Sequence, residues 1–183
     1  MAKVILGLVG PLASGKDTVK KYLADKYKAE NCRFSTILRD VLNRIEVPVG
    51  RQNLQNLSTI LRKNFGEDVL AKVIAGDVVK MKSDIVVVDG VRRMADIKYL
   101  SELPNFFLTV IDAKPEIRYE RMLKRNENVG DDKKIYEQFL KDHDAEADRE
   151  VPEVIKHAKY KITNDDSLTD LYKQVDELVA QLT

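Results

Sequence analysis

The stretch "GPLASGKDT", residues 10–18, decides the fold. Gly10 is followed by four residues and then by Gly15 and Lys16, the spacing of a phosphate-binding loop. In the common form of that motif the next residue is Ser or Thr, whose hydroxyl holds Mg²⁺; here it is Asp17. The loop follows "KVILGLVG", an apolar run that reads as a buried strand, and precedes Val19, Tyr22, Leu23 and Tyr27 at helical spacing. Strand, glycine-bearing loop and helix is the context the motif requires, and a mere glycine turn is the plain alternative. Gly10 and Gly15 permit backbone conformations that a Cβ hinders. Successive amides, through Ala13, Ser14 and Gly15, can then point at phosphate oxygens, with the helix N-terminus adding partial positive charge. Lys16 reaches the β- and γ-phosphates of a nucleotide.

Asp17 has two readings. A carboxylate beside phosphates is repelled, yet negative charge suits the first helical turn, and carboxylate oxygen is a normal Mg²⁺ ligand, directly or through water. Asp17 either holds the metal or caps the helix. Thr18 does not replace the missing hydroxyl, because one residue turns a helical side chain by about 100°; it is expected at the α-phosphate.

Outward from the loop, apolar patterning alternates between short continuous runs and helical spacing. "CRFS" is a weak second strand, "DIVVVDG" and "NFFLTVID" are buried strands, and "AKYKITN" is a more polar last one. Residues 36–82 are mostly helical, with a break near "EVPVGRQN" where Pro48 and Gly50 punctuate the chain. Helices are expected over 94–102 and 115–125, and Leu168, Leu171, Tyr172, Val175, Leu178, Val179 and Leu182 form the stripe of a closing helix. Strands apolar throughout, each followed by a helix, imply an α/β architecture whose five parallel strands are covered on both faces. Ligands in such sheets bind beyond the carboxyl ends of the strands.

The 183 residues fit one domain. Thirty-one basic side chains nearly cancel 30 acidic ones, so net charge gives no reason to expect a nucleic-acid or membrane surface. Any anion site must come from local placement of cations. A single Cys32 excludes an internal disulfide and suits a reducing compartment, and the first apolar run is too short for a membrane span or secretory signal. The expectation is a cytoplasmic protein. His143 and His157 lack partners at metal-ligand spacing, which speaks against zinc.

"SGKDT" resembles the phosphate loop of certain P-loop small-molecule kinases, notably phage-type deoxynucleoside monophosphate kinases and animal-type phosphomevalonate kinases, which also carry Asp after the Lys. The wider chain resembles the nucleoside monophosphate kinase group, which includes adenylate kinase and dephospho-CoA kinase. The adenylate-kinase loop usually has Gly where Ala13 stands. This resemblance implies the three-layer P-loop NTPase fold in one domain, with an acceptor-binding helical insertion at about 36–82 and a short lid at about 121–135. "FSTILRDVL" resembles the segment where Ser-Thr precedes an acceptor-binding Arg, which carries Thr36 and Arg39 over to the acceptor; a solvated surface arginine is the alternative for Arg39.

"VVVDGVRR" delivers Asp89 to a strand end, the place of an acid that orients hydrated Mg²⁺. The family's acceptor-phosphate clamp then falls on Arg92 by one spacing and on Arg93 by the other. Arg51, Gln55 and Arg62 share one helix face and either line the acceptor pocket or form the wet side of a helix. Arg121 and Arg125, four apart after Arg118, resemble the arginine pair entering the lid, with salt bridges to a following acidic helix as the alternative. "ITNDDS" lies where the family's loop cradles adenine, and Ser167 equally suits a helix cap.

The implied activity is transfer of the γ-phosphoryl group of ATP, with Mg²⁺, to a nucleoside or deoxynucleoside monophosphate. Dephospho-CoA and a phosphorylated isoprenoid precursor are alternative acceptors. A nucleotide-dependent switch acting on a macromolecule is the alternative class.

Overall fold

β1 (Val4–Val9) is buried at every position because its side chains alternate between two cores. Val4, Leu6 and Leu8 enter one, Ile5 and Val9 the other. The computed structural model describes residues 3–125, 135–141 and 149–183. In chain order β1 is followed by α1 (Lys16–Tyr27), β2 (Glu30–Arg33), α2 (Phe34–Arg44), α3 (Arg51–Phe65) and α4 (Val69–Lys80). Then come β3 (Ile85–Asp89), α5 (Met94–Ile97), β4 (Phe106–Asp112) and α6 (Pro115–Arg125). The described chain continues with α7 (Tyr136–Lys141), α8 (Val151–Lys156), β5 (Tyr160–Thr163) and α9 (Leu168–Leu182).

The strands form one sheet in the order β2-β3-β1-β4-β5, every neighbouring pair parallel. β3 divides its side chains as β1 does, with Ile85 and Val87 on one face and Val86 and Val88 on the other. α1 and α9 cover the first face with Val19, Leu23, Leu171, Val175 and Val179. α2, α4 and α8 cover the second with Phe34, Leu38, Ile74, Val78 and Val154. The result is the expected α/β, three-layer, five-stranded parallel architecture. Strand order reverses at central β1, so the carboxyl ends of β1 and β3 border the crevice where such folds bind ligands.

The differences from the expected elements are local. β2 spans 30–33 and not 32–35, because Phe34 is buried in the core and already opens α2. The regular helix expected over 94–102 is only four residues long. Its continuation is a chain of turns, with Ser101 N–H donating to the Ile97 carbonyl at 2.8 Å, and Pro104 disfavours helical backbone at Leu103. The break between α2 and α3 passes through Glu46 in the left-handed region, φ 58°. Ser167 caps α9, its hydroxyl accepting from the Asp170 amide. Gly130, His143, most of the expected acidic helix and residues 126–134 of the expected lid lie outside the described residues. Among the described residues no helix is long and apolar enough to cross a membrane.

Cys32 sits on edge strand β2 but faces the core, and burial together with the field of Asp77 pushes its thiol up to about 11. At pH 8 the folded protein is therefore expected to react with iodoacetamide roughly two orders of magnitude more slowly than a peptide thiol. Labelling at the peptide rate in the native state, followed by mass spectrometry, contradicts this.

Candidate phosphate and acid site

After Val9 the chain enters a loop that requires glycine at both ends. A Cβ at Gly10 would sit on the carbonyl oxygen of Ile111, and one at Gly15, where φ is +104°, on the side-chain amide of Asn164. Between them Ala13 adopts the left-handed conformation, φ 61°, so the alanine takes the turn usually given to glycine.

The loop's carbonyls are held by side chains of the protein itself. Lys16 Nζ curls back to donate to the carbonyls of Gly10 at 2.7 Å and Pro11 at 2.9 Å. Arg118, buried under the loop, donates to Leu12 at 3.4 Å and to Ala113 at 2.9 Å, and its guanidinium lies 5.4 Å from the Phe139 ring centre. Asn164 Nδ2 donates to the Ser14 carbonyl at 2.9 Å, and its Oδ1 accepts from Arg121 at 3.3 Å. In a trans peptide the following amide points opposite to its carbonyl. Tying back the carbonyls of Pro11, Leu12 and Ser14 thus turns out the amides of Leu12, Ala13 and Gly15, at the positive end of α1. Ser14 itself is fully buried, with its amide turned to the Pro11 carbonyl at 3.3 Å.

The acids lie just beyond the loop. Asp89, at the end of β3, is 6% exposed, which for a carboxylate demands a partner. Lys20, one turn after Asp17 on α1, supplies it: its ammonium donates to Asp89 Oδ2 at 2.8 Å and to Asp17 Oδ1 at 2.6 Å. Arg33 pairs with Asp89 at 3.3 Å, because parallel register sets the two residues side by side on β2 and β3. Arg125 approaches Asp17 at 3.7 Å from the last turn of α6. Partial desolvation opposes ionisation of Asp17, but the Lys20 hydrogen bond and the fields of Lys20, Arg33 and Arg125 outweigh it and hold the carboxyl below its ordinary range. Desolvation likewise opposes charge on Lys20, and the two aspartates override it and raise the ammonium's pKa.

These two carboxylates converge on one cation, which is the test of whether they suit a metal. Their donor set is hard oxygen, and among the described residues no larger group of acid, His or Cys side chains gathers. Two carboxylates with the remaining positions left to water and phosphate match Mg²⁺ chemistry.

The structure thus brings Asp17 and Asp89 together through Lys20, with Arg125 beside Asp17, while Lys16 rests on the loop carbonyls and Thr18 is half-buried in the first turn of α1. Among the described residues, Arg121 is linked to the loop through Asn164. Arg92 is exposed in the turn after β3, and Arg93 pairs with Glu67 at 3.2 Å. Arg39 and Arg51 are exposed on α2 and at the start of α3. Thr36 lines a cavity of about 540 Å³ along the β2 edge, together with Arg33, Asp40, Asp77 and Lys80. Arg33 therefore joins this cavity to the acid pair.

Arg62 fits neither sequence reading. It is buried, donating to the Glu67 carbonyl and, at 2.7 Å, to Asp96 Oδ1. The other oxygen of Asp96 accepts from the amides of Arg92 and Arg93 at 3.0 and 3.1 Å, so this pair anchors α3 to the turn that carries both arginines. Lys20, Arg33 and Asn164 are the members that sequence reasoning missed. Lys20 alone left a local signal, three residues after Asp17 on the same helical face. Asp96→Ala leaves Arg62 buried without its carboxylate and is expected to destabilise the fold by about 3–5 kcal/mol, read by urea denaturation. A loss below 1 kcal/mol is the value of a surface pair and would remove the anchoring role.

Comparison with known proteins extends these findings. The model of the family described as AAA domain matches residues 9–138. A UPF0200 protein of Saccharolobus solfataricus is 30% identical over 178 residues, spanning 96% of this chain and 92% of its own. The crystal structure of TT1252 from Thermus thermophilus superposes with a TM-score of 0.67 at 19% identity, covering 100% of both chains. A shikimate kinase from Bacteroides thetaiotaomicron does so with a TM-score of 0.62 at 14% identity, covering 98% of each. At these identities the structural likeness is one of fold, and the fold is that of the P-loop kinases.

Proposed function

We propose that this chain, which belongs to the AAA-domain family and to the UPF0200 family, transfers the γ-phosphoryl group of Mg·ATP to a nucleoside or deoxynucleoside monophosphate. The observation that carries the reading is that the phosphate loop, with Lys16 resting on its carbonyls, runs into the helix whose Asp17 shares Lys20 with Asp89 of β3 and is approached by Arg125.

In this reading the outward amides of Leu12, Ala13 and Gly15 receive the phosphate oxygens of ATP. Lys16 leaves the carbonyls of Gly10 and Pro11 and follows the β- and γ-phosphates. Thr18 meets the α-phosphate. Asp17 and Asp89 hold Mg²⁺, which when bound neutralises charge between the transferring and leaving oxygens. Arg125, and Arg121 once released from Asn164, stabilise the charge that spreads over the phosphoryl oxygens in the transition state. An acceptor phosphate is already nucleophilic at neutral pH, so positioning suffices and no general base is needed. Arg92 clamps that phosphate, with Arg93 as its alternate, and Thr36, Arg39 and Arg51 on the helical insertion over 36–82 receive the rest of the acceptor.

A hydroxyl-bearing acceptor such as dephospho-CoA is the second reading. Asp89 favours it, being a carboxylate beside the loop that can take a hydroxyl proton.

The test is phosphoryl transfer from Mg·ATP to a panel of ribo- and deoxynucleoside monophosphates, with dephospho-CoA, mevalonate phosphate and shikimate alongside. The expected result is turnover of one monophosphate class, lowered roughly a hundredfold or more by Lys16→Ala. Turnover of dephospho-CoA or shikimate alone selects the second reading. ATP binding with no acceptor that accelerates its consumption overturns both, in favour of a switch acting on a macromolecule.

A further inference from the structure

The acid pair that would take Mg²⁺ already holds a cation of the chain's own. Lys20 Nζ lies 2.6 Å from Asp17 and 2.8 Å from Asp89, with its side chain 19% exposed. Both carboxylates have a further partner, Arg125 for Asp17 and Arg33 for Asp89. Three cations thus face two anions. A divalent ion arriving alone must break two charge-assisted hydrogen bonds and enter a field that is already positive. A nucleotide changes the balance, because its phosphates bring negative charge to the loop one helical turn away and offer Lys20 other acceptors.

We propose that Lys20 is a resident counter-cation of the Asp17–Asp89 pair, which keeps free divalent metal out of the site and yields it when nucleotide phosphates arrive. The lysine is suited to this exchange. Its ammonium is a compact point charge on a flexible stem, able to leave one set of oxygens for another without a fixed fork geometry. It is also placed by α1 itself, so the helix that presents the loop's amides carries the cation that guards the acids. The inference rests on the assignment of Asp17 and Asp89 to the metal in the kinase reading. It concerns which ligand enters first, and so makes metal and nucleotide binding cooperative.

The test is Mn²⁺ binding without nucleotide, read from the electron-paramagnetic-resonance signal of free Mn²⁺, for the wild type and for Lys20→Met and Lys20→Gln. The methionine keeps the apolar stem, and the glutamine keeps a neutral donor should the first variant fold poorly. Both are expected to bind Mn²⁺ roughly tenfold tighter or more than the wild type, whereas Lys20→Arg stays weak. Adding Asp89→Asn to either tight variant should abolish the gain. Damage to the fold can only weaken binding, so a gain is not a structural side effect. Affinity equal to or below the wild type in the folded variants overturns the proposal. The measurement uses neither ATP nor acceptor, so such a failure leaves the kinase reading standing, and an inactive acceptor panel leaves this result readable.

Discussion

A parallel sheet buried on both faces admits charge only at the ends of its strands. From Val4 to Val9 and from Ile85 to Val88 every side chain goes into one of two apolar cores, apart from Gly7, which has none. A carboxylate anywhere along those runs would be buried without partners, at a cost no single domain sustains. The polar chemistry of these two strands is therefore confined to Asp89 and to the loop after Val9. Register fixes their relation: Gly7 lies beside Val88, so Asp89, the last residue of β3, stands level with Leu8, two residues before the loop opens at Gly10. The same rule places Arg33 beside Asp89 from β2 and Asn164 under the loop at the end of β5.

The parts of this arrangement that were legible in the sequence are those whose logic is local. Loop spacing, the apolar runs of β1, β3 and β4, and the stripe of α9 each specify themselves within a dozen residues, and all appear as expected. Asp89 was legible because a buried strand can end on a carboxylate only for a reason. Arg33 and Asn164 were not, because their importance depends on strand register, which no short window contains. Arg62 shows the opposite failure. Helical spacing correctly put it on one face with Arg51 and Gln55, but those two are exposed whereas Arg62 is the one buried residue of α3, so one face meets solvent and core in turn. Periodicity names a face without saying what the face meets.

The buried Arg62–Asp96 pair links two regions that chain order keeps apart. Asp96 shares its carboxylate between the guanidinium of α3 and the backbone of Arg92 and Arg93. Replacing such a pair by apolar residues often leaves stability unchanged, so stability alone is a weak reason for its presence. Its geometric effect is definite. One carboxylate holds α3 to the turn that follows Asp89 and carries both arginines, and it cannot move without losing a partner.

Electrostatics at the loop follow from the same economy of partners. The whole chain carries a net charge of only +1, yet Lys20, Arg33 and Arg125 gather around two aspartates and Lys16 lies on the adjoining loop. Each of these cations has a partner: Lys16 rests on loop carbonyls and the other three on carboxylates. A polyanion that enters must exchange these contacts, so its affinity is the difference between two sets of charge-assisted bonds and not the sum of one. That difference works in both directions. In the proposed transfer, a nucleotide left with less negative charge would lose the cations to the protein's own oxygens, and the resting contacts of Lys16 and Lys20 would oppose its retention. A site built to bind phosphate as tightly as possible would leave its cations uncommitted; this one gives each of them a resting partner, which suits the turnover proposed for it.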